Sequence, residues 1–117
     1  AKVIELLFEQ INVIRKIKSE EREKTLDVMI LTQNLMEISD YCMLKWRANN
    51  IRIKLQDTFV RIRKILGEKH PILDRIEFWL TALNKYGKDE NIGEDDAKKL
   101  SDDVENFKNV LGRAIKF

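Results

Sequence analysis

EDDAKKLSDDVENFKNVLGRA, residues 94–114, is the most regular segment of the chain. Its apolar residues recur every three or four positions, which is the spacing of one face of an amphipathic α-helix. Three acidic residues open the segment, where they favour the positive end of the helix dipole. The pattern therefore predicts a helix that buries one face. The apolar positions are Ala97, Leu100, Val104, Phe107, Leu111 and Ala114.

Similar spacing extends through most of the 117 residues. It predicts a helix over about 2–18, a helix that starts with Ser19 as N-cap and continues towards Asn49, and a helix over 51–66. Thirty uninterrupted residues is long for a globular helix, so we expect a kink or break at Ser39 and Asp40. The apolar positions of the second helix include Leu26, Met29, Met36 and Leu44.

The helix boundaries are marked more clearly in the second half of the chain. Gly67 suits the position just past a helix end, and Pro71 suits the first position of the next helix. That helix stops near Gly87, and residues 87–93 form a loop. Strict alternation of a half-buried strand is missing. We therefore expect an all-α fold, a compact bundle of five or six helices in a single domain of residues 1–117. Because the chain begins at Ala1 and both ends lie in or beside helical pattern, we expect it to be excised from a larger protein.

The composition excludes several kinds of site. Cys42 is the single cysteine and His70 the single histidine, so the usual zinc sets are missing and no metal site is predicted. Neither a phosphate-binding P-loop pattern nor a dinucleotide-binding glycine pattern occurs. We predict no catalytic residues for this domain and no required cofactor. A lone cysteine favours a reducing compartment, and no apolar run approaches the ~20 residues that span a bilayer, so we expect a cytoplasmic protein without a membrane partner.

Charge is concentrated in the middle of the chain. Residues 45–75 carry nine basic and three acidic side chains, a net +6, whereas the whole chain carries +2 and each flank −2. A basic centre between acidic flanks is a candidate footprint for a polyanion. Trp46 opens this block and Trp79 follows it. The basic residues are Lys45, Arg47, Arg52, Lys54, Arg61, Arg63, Lys64, Lys69 and Arg75.

A helical projection of residues 51–66 divides these charges. Lys54, Arg61 and Lys64 form a stripe on one flank of the apolar face, and Arg52 and Arg63 lie on the other. Ile53 and Val60 point away from the core. We therefore predict grooves between helices, in which basic side chains bind phosphates and an aromatic ring stacks on a base. The predicted nucleic-acid-binding residues are Trp46, Arg47, Arg52, Lys54, Arg61, Arg63, Lys64, Arg75 and Trp79.

The same residues also have purely structural interpretations. Basic residues on helices commonly form a solvated or ion-paired surface, and acidic faces of the same protein would neutralise them. Trp79 lies at the edge of a core stripe, which favours packing. For Trp46 the sequence favours neither packing nor function. His70 precedes a helix start, where a capping role is common.

The spacing of Arg63 and His70 resembles the Arg-x4–6-His signature of HEPN-type ribonucleases, which are also small all-α domains. In that family the two residues share one active face. Here Lys64 follows the arginine, where that family often has Asn, Asp or His. Gly67 and Pro71 also place His70 outside the helix that carries Arg63.

The length, the all-α character and the basic block with Trp46 and Trp79 resemble accessory helical domains of archaeal-type primases. These include the helix-bundle domain that follows the catalytic domain in archaeal plasmid primase-polymerases, and the small non-catalytic primase subunit. No diagnostic motif carries the resemblance, so no family residue is transferred by position.

The resemblance implies a module of DNA replication that binds single-stranded DNA template, with a nucleoside triphosphate such as ATP as a bound nucleotide. A catalytic primase domain or subunit would be its partner, and the domain would support primer synthesis without being an enzyme itself. The cysteines of iron–sulfur primase subunits are absent, so no cluster is expected. The alternative is a protein–protein interaction bundle within a larger assembly.

Overall fold

Four α-helices build the chain in the computed structural model, which describes the backbone of residues 2–115 and the side chains of residues 22–115. They are α1 (Lys2–Met43), α2 (Ala48–Leu66), α3 (Pro71–Ala82) and α4 (Glu94–Ala114). A single 3-10 turn, Leu83–Lys85, extends α3. Residues 2–115 contain no β-strand, and Arg47 and Asn91 form an isolated antiparallel bridge. The all-α prediction is confirmed, whereas five or six helices was too many.

The predicted number of helices was too high because α1 is one continuous helix of 42 residues. The predicted break at Ser39 and Asp40 is wrong. No glycine or proline occurs between Lys2 and Met43, so nothing in this stretch removes a backbone hydrogen bond or favours a non-helical conformation. Ser39 and Asp40 are polar side chains on a continuing helix. The predicted helix start at Ser19 is also wrong, because the helical backbone continues through this residue. The side chain of Ser19 lies outside the described residues.

The predicted turn between α2 and α3 and the predicted start of α4 are confirmed, whereas α2 begins at Ala48, earlier than predicted, and α3 ends at Ala82, before the 3-10 turn. Gly67 follows α2 with a φ of 88°, and its N–H donates to the carbonyl of Arg63. His70 is the N-cap of α3, where its Nδ1 accepts a hydrogen bond from the N–H of Ile72 at 3.3 Å. Pro71 occupies the first turn of α3, and Glu94 begins α4. The single histidine is thus a capping residue.

The core lies where the C-terminal half of α1 packs against α2 and α4, with α3 closing it against α2. At 1.5 Å per residue α1 is about 63 Å long, whereas α2 and α4 are about 28 and 32 Å long. The longest dimension of the molecule, 68 Å, therefore reflects α1. The largest fully buried side chains include Leu31, Ile38, Ile51, Leu55, Ile62, Ile76, Trp79, Leu100 and Phe107.

A membrane-spanning helix is not found in the part of the chain that the structure describes, since none there is both long and apolar enough.

Candidate functional site

The predicted stripe of Lys54, Arg61 and Lys64 exists, but it faces acidic residues of α1. Lys54 Nζ lies 2.7 Å from a carboxylate oxygen of Glu37. Arg61 donates to Asp27 at 2.7 Å and to Asp57 at 2.9 Å. Lys64 lies 2.9 Å from the same Asp27. Antiparallel packing of α1 and α2 thus joins their flanks by a ladder of ion pairs.

The ladder perturbs the ionisation of its members. The hydrogen bond from Lys54 lowers the pKa of Glu37. Burial acts to raise the pKa of Asp57, but hydrogen bonds from Arg61 and Asn34 outweigh it and lower that pKa. Asn34 is itself buried and donates to Asp57 at 2.6 Å. These carboxylates are held in their charged form, so the basic flank of α2 is neutralised from within the molecule.

The opposite flank of α2 carries Arg52 and Arg63 in local contacts. Arg52 donates to the side-chain oxygen of Asn49 at 3.0 Å. Arg63 donates to Glu68 at 2.7 Å, and its guanidinium lies 5.8 Å from the ring centre of Phe59. The Arg63–Glu68 pair is largely exposed, so it contributes little to stability and leaves Arg63 accessible.

Arg75 and Trp79 are brought together through Asp103 of α4. One oxygen of that carboxylate accepts from Arg75 Nε at 2.7 Å and from Trp79 Nε1 at 2.6 Å. Trp79 is only 2% exposed. Its ring therefore has no free face on which a base could stack, and the plainer core interpretation describes it. Arg75 instead lies over the exposed ring of Phe78, 4.4 Å from its centre.

Trp46 is different, because it is 45% exposed in the linker between α1 and α2. It stacks on Tyr41 with ring centres 6.3 Å apart. The loop 87–93 fastens this linker: the N–H of Ile92 donates to the carbonyl of Trp46 at 2.8 Å. The same loop brings Asp89 to 3.7 Å from Arg47.

The predicted binding residues therefore do not converge on one groove. They are divided between the α1–α2 ladder, the outer flank of α2, the linker and the α3–α4 contact. Of the nine basic residues in 45–75, seven have a carboxylate within 4 Å. The acidic flanks of the sequence fold back onto its basic centre, which the plainer interpretation had allowed.

Sequence reasoning missed an exposed apolar face on α1. Leu26, Met29, Met36 and Leu44 were placed in the helical apolar pattern, yet each is more than half exposed, as is Met43. The buried apolar positions in the described part of α1 form another stripe on the same helix, Val28, Leu31, Leu35, Ile38 and Cys42. This second stripe also has spacings of three and four, so it was visible in the sequence. We call the exposed set of Leu26, Met29, Met36, Met43 and Leu44 the α1 apolar face.

A groove of about 260 Å³ between α1 and α4 runs beside this face. Thr32 lines the groove and lies one helical turn from both Met29 and Met36, so the methionines flank its α1 wall. Gly112 forms part of the α4 wall, and the position that a Cβ would occupy there faces open space. Most of the residues that line the groove are apolar, and Lys108 lines it as well.

The described side chains include no candidate metal centre and no activated thiol. Residues 22–115 contain no group of three or more His, Cys, Asp or Glu side chains that could hold a metal ion. Burial raises the pKa of the Cys42 thiol to about 12, which makes it a poor nucleophile. His70 caps α3 and Arg63 pairs with Glu68, so each residue of the HEPN-like spacing has a structural partner.

No protein-family model matches the sequence, and neither the curated proteins nor the solved structures contain a significant match.

Proposed function

We propose that this protein is a helical interaction module whose α1 apolar face docks against an apolar surface of a protein. The observation that supports this function best is the placement of the methionines. The chain has three, and all three lie on this one face with 56–80% of their surface exposed. Scattered exposed apolar residues are normal, but apolar residues that align along one side of a helix are typical of a docking surface.

The chemistry of the face suits this function. Methionine is flexible and polarisable, so a methionine-rich surface adapts to partner side chains of different shapes. Fully burying such a side chain is worth about 1.5–3 kcal/mol, and these are already partly covered, so each would contribute roughly 1 kcal/mol on docking. The neutralised basic block also favours this function over a dominant polyanion site, because few of its charges lack a carboxylate neighbour.

Methionine oxidation tests the proposal whatever the identity of the partner. A pulse of oxidant converts exposed methionines to sulfoxides, which mass spectrometry locates residue by residue. We expect Met29 and Met36 to be protected in cells that express the protein, relative to dilute purified protein.

The chain offers a matched control for that measurement. Ile53 on the outer side of α2 is 54% exposed, close to the 56% of Met36. An Ile53→Met variant therefore supplies a reference methionine away from α1. Equal oxidation of all positions in cells and in dilute solution would refute the docking function.

The second candidate function is binding of single-stranded DNA template, with a nucleoside triphosphate, in support of primer synthesis. The exposed ring of Trp46 between Lys45 and Arg47 favours it, because an aromatic ring beside basic side chains can stack on a base while they contact phosphate. The ion pairs of Lys45 and Arg47, at 3.9 and 3.7 Å, are long and exposed, so phosphates would displace the carboxylates at little cost.

Fluorescence anisotropy with a short single-stranded oligonucleotide, with and without ATP, tests this second function. Each phosphate contacted through the linker should release roughly 0.7 counterion, so binding should weaken as the salt concentration rises. The Trp46→Ala variant should abolish this binding. Arg113→Gln, which removes a similar charge from the last turn of α4, is the control for Arg47→Gln. Absence of salt-sensitive binding, or equal losses in the two arginine variants, would reject the site.

A further inference from the structure

We propose that the α1 apolar face binds the same face of a second copy of this chain, with the two α1 helices antiparallel about a two-fold axis that crosses this face at the level of residue 31. This inference rests on the proposed docking function and names its partner. The pairing depends on the two charges that flank the 26–36 part of this face, and on how they meet when the face is paired with itself.

Arg22 and Asp40 flank the 26–36 part of the α1 apolar face, and Met43 and Leu44 lie beyond Asp40. Arg22 and Asp40 are 18 residues apart, which is five full turns of helix, so they lie on the same side of α1 and about 27 Å apart. Both side chains are exposed. Among the described residues, neither has an opposite charge within 4 Å, in contrast to the basic residues of the α1–α2 ladder. Between them on the same side lie Leu26, Met29, Gln33 and Met36.

An antiparallel pairing makes this face complementary to itself. If the two-fold axis crosses the exposed side of α1 midway between Arg22 and Asp40, at the level of residue 31, then Arg22 of one copy opposes Asp40 of the other, and the reverse pair forms by symmetry. Leu26 then opposes Met36, and Met29 opposes Gln33 next to the axis. Opposite charges therefore close both ends of an apolar seam.

Other pairings of the same face are worse. A parallel pair in register would place Arg22 beside Arg22 and Asp40 beside Asp40, and like charges across an interface select against that arrangement. The exposed apolar pair on α2, Ile53 and Val60, is a shorter surface than the α1 seam, since it spans only two helical turns. A seam of five turns is also small for a protein interface, which puts this association in the weak, transient class.

Analytical ultracentrifugation over ~1 μM to ~1 mM protein suits an association of this class. We expect the wild-type chain to dimerise reversibly within that range. Arg22→Asp or Asp40→Arg alone should weaken dimerisation at least ~10-fold, because each change places like charges at both ends of the seam. The double variant Arg22→Asp with Asp40→Arg should restore it, since both pairs are then reversed.

Two further variants separate the seam from general surface effects. Met29→Glu should abolish the dimer, because it puts two carboxylates near the axis. Ile53→Glu makes the same kind of change at a similarly exposed position of α2 and should leave the dimer intact. Circular dichroism should show unchanged helix content in every variant, since all four positions are exposed and helical.

The outcomes distinguish this inference from the function on which it rests. A wild-type chain that stays monomeric at ~1 mM, with its methionines protected in cells, would overturn self-association while the docking function stands. Dimerisation that is as strong in both single charge variants as in the wild-type chain would overturn the antiparallel pairing. Methionines equally oxidised in cells and in solution, with a monomeric chain, would refute both.

Discussion

Asp27 is a buried carboxylate on α1 that both Arg61 and Lys64 reach from α2. Asp103 has a similar position between α3 and α4, where it accepts from Arg75 and Trp79. Each of these acids is sheltered enough to hold its partners in one geometry. At the scale of single residues, the acidic side chains decide which basic residues are free to contact another molecule.

Replacing Arg61 by methionine should lower the free energy of unfolding by about 2 kcal/mol at pH 7. The change leaves Asp57 without its arginine and Asp27 with Lys64 alone, and the aliphatic part of the side chain is retained. We place the value below that of a fully buried pair because Arg61 is 24% exposed. Chemical denaturation followed by circular dichroism measures it. Arg63→Met, which removes a mostly exposed pair, should cost less than about 0.5 kcal/mol.

The same variant should change the dependence of stability on pH. The pKa of Asp57 is lowered in the folded state, so its contribution is present above the unfolded value of about 3.9 and is lost as the pH falls through the folded pKa. The difference between wild type and Arg61→Met should therefore be constant near neutrality and shrink below about pH 4. A difference that grew on acidification would contradict this network.

Cys42 should be almost inert in the folded protein. Its thiol is buried among core residues, and burial raises its pKa from 9.0 to about 12, which lowers the thiolate fraction roughly 1000-fold at pH 8. We expect an aromatic disulfide reagent to modify it at the rate of unfolding, and rapidly in denaturant. A fast reaction of the native chain would show that this part of α1 opens readily.

At the scale of elements, α1 shows where a sequence pattern was insufficient. Two apolar stripes with helical spacing run along residues 26–44, and each could form the buried face. Contacts with α2 and α4 decide which of the two stripes is buried. In particular, Asp27 and Asn34 face α2, where they contact Arg61 and Asp57. Local spacing predicted the helix, whereas its rotation about its own axis is a tertiary property.

The turn between α2 and α3 was predictable because its chemistry is local, whereas the turn between α1 and α2 lies at residues 44–47, before the predicted position near Asn49. Gly67, His70 and Pro71 mark the turn between α2 and α3 by backbone conformation, capping and ring geometry, and the structure confirms each role. Ser39 also has the chemistry of a capping residue, but it lies in a stretch without a helix breaker. A capping residue starts a helix only where the preceding chain leaves the helical conformation.

Two glycine-to-alanine variants should change stability in opposite directions. Gly67 has φ 88° and ψ 176°, a conformation that only glycine adopts easily, so Gly67→Ala should lower the free energy of unfolding by about 1–2 kcal/mol. Gly112 lies within α4 with open space at its Cβ position, so Gly112→Ala should raise that free energy by about 0.5 kcal/mol. Denaturant titrations of the two variants measure both signs. Equal losses would contradict the two backbone assignments.

At the scale of the whole molecule, the sequence predicted a separation of basic and acidic regions that the fold largely removes. The basic centre and the acidic flanks are separate in sequence, but antiparallel packing of α1 on α2 and the contact of α4 with α3 bring them together. The division of α2 charges between two flanks was predictable from the projection alone. The partners of those charges on α1 were not, because Asp27 lies 34 residues from Arg61 and local spacing carries no information at that distance.

The unusual length of α1 gives a final prediction about overall size. A compact chain of 117 residues has a radius of gyration of roughly 13 Å, whereas that of this structure is 19.0 Å. Small-angle X-ray scattering of the Arg22→Asp variant, chosen to keep the chain monomeric, should give a value near 19 Å. A helix interrupted near Ser19 that folded back on the bundle would bring it towards roughly 13–15 Å. The scattering value therefore tests whether α1 is continuous, independently of what the α1 apolar face binds.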